Sequence, residues 1–496
     1  MRRRARTTSG VLLLHALLAA DGVRAETASV LEHHKNPTRD GVYVEPTLTR
    51  AAAAALHRDA AFNAVTQGAT YAQPLYVDGG GTGPDLLLVA TELDRVYALD
   101  AATGAGVWSR QLGTPVPVTA LPCGNIDPLG ITGTPVIDLA SRTLFLDAMT
   151  TPDGNVTKRH LVFGLSLDDG SIRPGYPVNV SAALRRRGVR FRASVQNQRG
   201  ALALVAGTLY VPYGGHAGDC GPYHGWVVGI PIADPAGIRA YHTRARGGGI
   251  WAPGGLASDG RSIYAATGNT FGAVTWRGGE SILRLGSGPV FSGRRTDHFT
   301  PRNWRALDEG DIDLGGSGPM LLDLPGARPS ALVVALGKNG RVYLADRTNL
   351  GGVSRAPASA AVATDPIITA ATAYTTSSGT YVAFKGAGAS CPGAAGSLTA
   401  IRVVAAAPPT ITTAWCADQH GLGSPIVTAL DGHAGAIVWS TGAEGDDRLR
   451  GFDGDTGEEI FVSEAMGPLT RYVPPIAAKG RIFVAGTSAV YAFTAL

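Results

Sequence analysis

At 496 residues, 45% of them apolar and only 17% charged, the chain is long enough to bury a large core. Its net charge of +4 is small for that length and its basic residues read as scattered, which argues against a nucleic-acid partner. Sixty-seven glycines and 31 prolines point to many short strands and turns rather than long helices.

The N-terminus comes first in chain order. Arg2, Arg3, Arg4 and Arg6 precede a ten-residue, mostly apolar run at 11–20, and Val23-Arg24-Ala25 offers small residues where a signal peptidase cuts. Residues 1–25 therefore read as an export signal, with the mature chain periplasmic or extracellular. The run is too short for a membrane span, and no apolar stretch of about 18 residues follows. Residues 26–69 form an N-terminal segment with one helix candidate, 48–61, around the alanine run 51–55.

Residues 70–496 are repetitive. A strand of the type Gly-x-apolar-Tyr/Phe-Val-Ala recurs eight times, as in DLLLVATEL (85–93), GTLYVPYGG (207–215) and GRIFVAGTS (480–488). A second strand follows each copy, beginning near Val96, Val162, Val227, Ile282, Val342, Leu398, Leu449 and Val490, and a proline- or glycine-led segment precedes most copies. Eight units of three or four short strands, with no amphipathic helix between them, predict an all-β, eight-bladed propeller. In a four-stranded blade, the loop leading into the innermost strand and the loop after the second strand share one rim. Polar residues at those two places converge on one mouth of the central channel.

In blade one the turn after this second strand carries Ala98, Asp100, Gly104 and Trp108, and resembles the tryptophan-docking repeat of pyrroloquinoline-quinone (PQQ) dehydrogenases, A-x-D-x-x-x-G-x-x-x-W. Blade seven keeps the spacing with Gly451, Asp453, Gly457 and Phe461, while the other blades are degenerate. Glycine serves the turn, aspartate its amides, and the aromatic ring packs between blades. The propeller is thus expected to be of the quinoprotein type.

Motifs in blades four and five extend the resemblance to a site. Gly248-Gly249-Ile250-Trp251, then Thr267-Gly268-Asn269 and Trp276, is similar to a stretch of quinoprotein alcohol dehydrogenases. In that family the tryptophan is the floor under the quinone and the asparagine is a calcium ligand. Asp311-Ile312-Asp313 before Gly318-Pro319-Met320 resembles the segment whose second aspartate is the catalytic base. Lys338-Asn339-Gly340, with Asp346-Arg347-Thr348-Asn349, resembles the segment whose lysine hydrogen-bonds the quinone. The resemblance implies Asp313 as base, Trp251 and Lys338 as contacts for PQQ, and Asn269, Asp313 and Asp219 as calcium ligands, with an alcohol or sugar as substrate. Gly315 stands where lanthanide-using relatives carry an extra aspartate.

Departures sit in blades two and three. The adjacent cysteine pair of the family is absent and only Cys123 occupies that region. No arginine follows it, and the glutamate expected before Gly225-Trp226 is replaced by His216 and Asp219 around an insertion. No C-x-x-C exists, which excludes c-type haem attachment and implies a separate electron acceptor. In an oxidising compartment the four cysteines are expected to pair as Cys123–Cys220 and Cys391–Cys416, each joining loops on one rim.

Plainer roles stand beside these. Trp251 and Trp276 suit blade-edge packing, Asn269 a turn cap, Asp311 and Asp313 solvated loops, and Lys338 a hairpin turn. The run Arg185–Arg192 suits an acidic electron acceptor or a solvated loop; Glu444, Asp446 and Asp447 suit a cation or a hydrophilic loop. A non-catalytic propeller binding a protein or glycan at its rim is the alternative function.

Overall fold

The computed structural model describes residues 28–81, 83–391 and 396–495; the export signal expected at 1–25 lies outside them. Eight separate sheets, one per predicted repeat, make an eight-bladed β-propeller. Blade one runs Leu75–Val77, Leu86–Thr91, Arg95–Asp100 and Gly106–Gln111, antiparallel and in sequence order from the inside out. Each recurring motif is the second strand of its blade, as in Thr208–Tyr213 of blade three and Arg481–Ala485 of blade eight. Leu86–Thr91 is buried at all six positions. A strand stacked between two neighbouring sheets is apolar on both faces, which explains the continuous apolar runs.

The core lies between blades. One cluster joins Leu88 and Val96 of blade one to Leu146 and Leu165 of blade two, another joins Leu332 and Leu344 of blade five to Val382 and Ile401 of blade six. The seam around blade eight is the largest, with Trp439 of blade seven, Phe483 and Phe493 of blade eight, and Leu87 of blade one. Each such side chain contributes about 1.5–3 kcal/mol by leaving water.

The docking turns form as their spacing predicts. Asp100 Oδ1 accepts the Ala102 and Thr103 amides at 3.0 and 2.8 Å, and Gly104 takes a positive φ of 78°. Trp108 then donates from Nε1 to the Leu167 carbonyl of blade two at 2.8 Å. Blade seven repeats the turn with Asp453 and Gly457. Blade six, which reads as degenerate, still docks: Trp415 Nε1 donates to the Gly454 carbonyl of blade seven at 2.9 Å.

The N-terminal segment departs from expectation. Its helix covers only Arg50–Ala54, capped by the Thr49 side chain. Beyond it, His57–Arg58 and Ala64–Val65 pair antiparallel with Ala489–Thr494 and complete blade eight. Ahead of it, the chain crosses the central channel and bonds the inner strand of one blade after another. Val30 pairs with Tyr76, Leu31 accepts from Ile137, Pro37 from Ser258, Thr38 from Leu321 and Asp40 from Ala373, and Val42–Val44 lies parallel to Ile426–Ala429. Arg39, buried at the centre, donates to the carbonyls of Leu202, Leu256 and His33 and to Glu32. The segment is a plug and a clasp, not an appendage.

Both disulfides form as predicted, with Cα–Cα separations of 6.0 Å. Cys123–Cys220 links the loop between blades one and two to a loop of blade three. Cys416 lies in the outer strand Thr410–Ala417 of blade six rather than in a connecting loop.

Candidate functional site

The cavity at the channel mouth is built from the loops that lead into the inner strands. Arg199, Trp251, Asp313 and Tyr472 stand a few residues ahead of Ala203–Val205, Ala257–Ser258, Met320–Asp323 and Ile476–Ala478. With Asn125, His216, Asp219, Tyr223, Asn269 and Lys338 they enclose about 230 Å³. The residues to which the resemblance gives a role lie together in one cavity: Trp251, Asn269, Asp313, Lys338 and Asp219. Trp276 is not among them; it lies in a groove between blades three and four, its ring stacked on His298 at 4.0 Å.

Backbone contacts fix the blade four and five side. Gly248 N–H donates to the Asn269 carbonyl at 2.6 Å and Gly268 N–H to the Gly249 carbonyl at 3.0 Å, so the two motif segments are zipped together. Gly268 is required by space: a Cβ there would stand 2.3 Å from Asp313 Oδ1 and 3.1 Å from Trp251 Nε1. Asp313 is 2% exposed. Its Oδ1 accepts the Asn269 N–H at 2.6 Å, its Oδ2 lies 2.6 Å from Lys338 Nζ, and its carbonyl accepts the Lys338 N–H at 2.8 Å. Lys338 Nζ also reaches Asp311 Oδ1 at 3.0 Å and sits 5.5 Å from the centre of the Trp251 ring. Asp313 is thus a buried carboxylate partnered by a lysine rather than a solvated loop acid, whereas Asp311 pairs with the same lysine from a solvent-exposed position. Gly315 packs against the backbone of Ala266 and Thr267, a Cβ meeting it at 2.9–3.0 Å, so no larger residue fits there.

The charges are coupled. Burial works to lower the Lys338 pKa, but the adjacent Asp313 and Asp311 carboxylates outweigh it and hold the ammonium above its ordinary value. Burial raises Asp219, and the Asp313 and Asp311 charges add to that despite a 2.5 Å hydrogen bond from Tyr223. Behind the wall, fully buried Glu280 accepts the Leu314 N–H at 2.7 Å. Burial, then the Asp313 charge, push its carboxyl well above the ordinary range. His216, held by the Ser194 carbonyl, is lowered to about 4 by burial.

Motif reading missed Arg199 and Asn125. Arg199 is 9% exposed, donates from Nη2 to Asn125 Oδ1 at 3.2 Å, and its buried Nε has no hydrogen-bond partner among the described residues. Its position in the repeat, equivalent to that of Trp251, was the only signal available. Arg199 and Lys338 thus bring two cations to a cavity walled on one side by an indole. That set suits a flat polyanion. For a divalent ion the available oxygens are the Asn269 amide and the Asp313 and Asp219 carboxylates, a hard-donor set of the kind calcium takes. Among the described residues no group of three or more His, Cys, Asp or Glu side chains is placed to hold a metal, so such a site depends on the Asn269 amide. The acids of blade seven are otherwise engaged: Glu444 with Arg471, Asp446 with Arg450, and Asp447 with the Leu469 N–H.

No protein-family model matches the sequence, and no curated protein does. Solved structures do match. The quinohemoprotein alcohol dehydrogenase of Comamonas testosteroni aligns at a TM-score of 0.65 and 15% identity, over 95% of this chain and 81% of the other. A quinohemoprotein alcohol dehydrogenase of Pseudomonas putida HK5 aligns at 0.66 and 13% identity, over 94% and 80%. A europium-containing methanol dehydrogenase aligns at 0.62 and 14% identity, over 94% and 98%. At such identities the likeness is one of fold: this is an eight-bladed propeller of the quinoprotein type.

Proposed function

We propose that this chain, on the propeller fold it shares with quinoprotein alcohol dehydrogenases, is an exported oxidoreductase that takes PQQ and calcium at the channel mouth and oxidises an alcohol or a sugar. The observation that carries the reading is the meeting of Trp251, Asn269, Asp313 and Lys338 in one cavity. Trp251 offers a stacking face; Lys338 and Arg199 offer cationic donors to the carboxylates and carbonyls of the quinone. Asn269, Asp313 and Asp219 would supply the oxygen ligands for calcium. When bound, the quinone supplies the acceptor for the hydride of the alcohol carbon. Asp313, oriented by the Asn269 N–H and by Lys338, takes the hydroxyl proton as general base. A separate acceptor would take the electrons onward, since these 496 residues hold no C-x-x-C for haem attachment.

The basic and apolar leader of residues 1–25 and two disulfides support an oxidising, exported location. No helix among the described residues is long and apolar enough to cross a membrane.

Titration of the purified protein with PQQ and Ca²⁺ tests the reading, through the quinone absorbance and dye-linked oxidation of alcohols and sugars. Asp313→Asn is expected to lose about 10²–10⁴-fold in turnover with its unfolding midpoint little changed. A protein that binds no quinone and oxidises no substrate leaves the scaffold reading in its place.

A further inference from the structure

Charge is less evenly spread along the chain than its small net value suggests. Residues 185–305 carry sixteen arginines, no lysine and five acids, a surplus of eleven in a chain whose net charge is +4. Part of that surplus lines a groove of about 730 Å³ on the outer side of blades three and four. Arg239, Arg244 and Arg277 are exposed on it, and no carboxylate lines it. Among the described residues none of the three guanidiniums makes an ion pair or hydrogen bond. Between them the floor is apolar and aromatic: Tyr241 and Phe291 meet edge to face at 5.5 Å, Trp276 and Phe291 at 6.3 Å, and Val290 is 55% exposed. One wall is the outer strand of blade three, Arg239–His242, which pairs with Trp226–Pro231 on one edge and, among the described residues, with no strand on the other.

We infer that this groove docks an extended, acidic segment of a partner protein, added as a fifth strand to the edge of blade three. Unpaired guanidiniums favour carboxylates at alternate positions, and the aromatic floor favours a valine or phenylalanine between them. The free backbone edge is what favours a polypeptide over an acidic glycan, since only a polypeptide completes a ladder of main-chain hydrogen bonds. The loop that carries Trp276 and Arg277 is also the loop that carries Asn269 into the cavity. The inference does not depend on the oxidoreductase reading.

The probe is a blocked, fluorescent peptide alternating glutamate with valine around a central phenylalanine, measured by anisotropy on the full mature protein. Binding is expected to weaken at least tenfold in the triple variant Arg239→Ser, Arg244→Ser, Arg277→Ser, with unchanged circular dichroism, and to fall as salt rises. The same peptide with alternate backbone amides N-methylated is expected to lose binding as well. Equal affinity for the N-methylated peptide, or tighter binding of oligogalacturonate than of the parent peptide, overturns the proposal, as does an undiminished affinity in the triple variant.

Discussion

The two walls of the channel-mouth cavity are held in different ways. The wall from blades four and five is fixed by backbone hydrogen bonds between short motifs: Gly248 to Asn269, Gly268 to Gly249, Asn269 to the Asp313 carboxylate, and Lys338 to the Asp313 carbonyl. The wall from blades one to three gathers Asn125, Arg199, His216 and Asp219 from separate loops, tied by Cys123–Cys220. Local spacing is enough to specify the first arrangement, because each motif fixes its neighbour. The second depends on contacts between segments far apart in the chain, joined by the disulfide.

The largest effect is expected from Gly268→Ala, which attacks the zipped wall. The added methyl would stand 2.3 Å from Asp313 Oδ1 and 3.1 Å from Trp251 Nε1, so the Asp313 carboxylate or the Trp251 indole must shift out of its place in the site. A misplacement of about an ångström costs roughly 10²-fold in rate. Turnover and quinone affinity are expected to fall together, while the far side of the propeller keeps its stability. Wild-type kinetics in this variant would mean that the wall is softer than its hydrogen bonds imply.

Removing the tie should do the opposite. Cys123→Ser with Cys220→Ser opens a link spanning 97 residues and is expected to cost about 2–5 kcal/mol of stability. The cavity loses the restraint on 216–219 but keeps Asp313 and Lys338 in place, so affinity falls more than turnover. Unfolding curves and KM against kcat distinguish the two walls; an unchanged midpoint would show that packing alone holds blades one to three.

Much of the fold is legible because each second strand repeats one burial pattern, and eight copies imply eight blades. What is not legible lacks a period. The plug bonds one blade after another through single residues such as Val30, Pro37 and Asp40, so no strand pattern marks it. The alanine run promises a longer helix than Arg50–Ala54, but the strands that complete blade eight claim the residues that follow. Trp415 docks on the turn of the next blade without the full motif in its own blade, because the ring needs only the glycine and carbonyl opposite it. In the site, Trp251, Asn269, Asp313 and Lys338 announce themselves through motif neighbours. Arg199 lines the cavity and Glu280 lies behind its wall, but neither sits in a local sequence that marks it.

The same contrast extends to buried carboxyls, and the last prediction rests on it. In blades four and five the Asp313 carboxylate has a lysine beside it. In blade one, Glu92 and Asp94 are buried with no ion pair among the described residues. Burial, only partly offset by the Gly130 amide at 2.7 Å, pushes Glu92 up to about 7. Folded Glu92 therefore holds its proton more tightly than the unfolded chain does. Below the ordinary glutamate range both states are protonated and pH has no hold on this group. Between that range and about 7 the folded state binds the extra proton, so stability falls as pH rises; above about 7 the loss is complete. Glu92→Gln keeps an acceptor for the Gly130 amide and removes the titration. Its advantage over wild type is expected to be near zero at pH 4 and to grow to on the order of 1–3 kcal/mol by pH 8, read from urea unfolding across that range. A difference that stays constant with pH would show that Glu92 is ionised in the fold, and that the side without a lysine balances its carboxylates by other means.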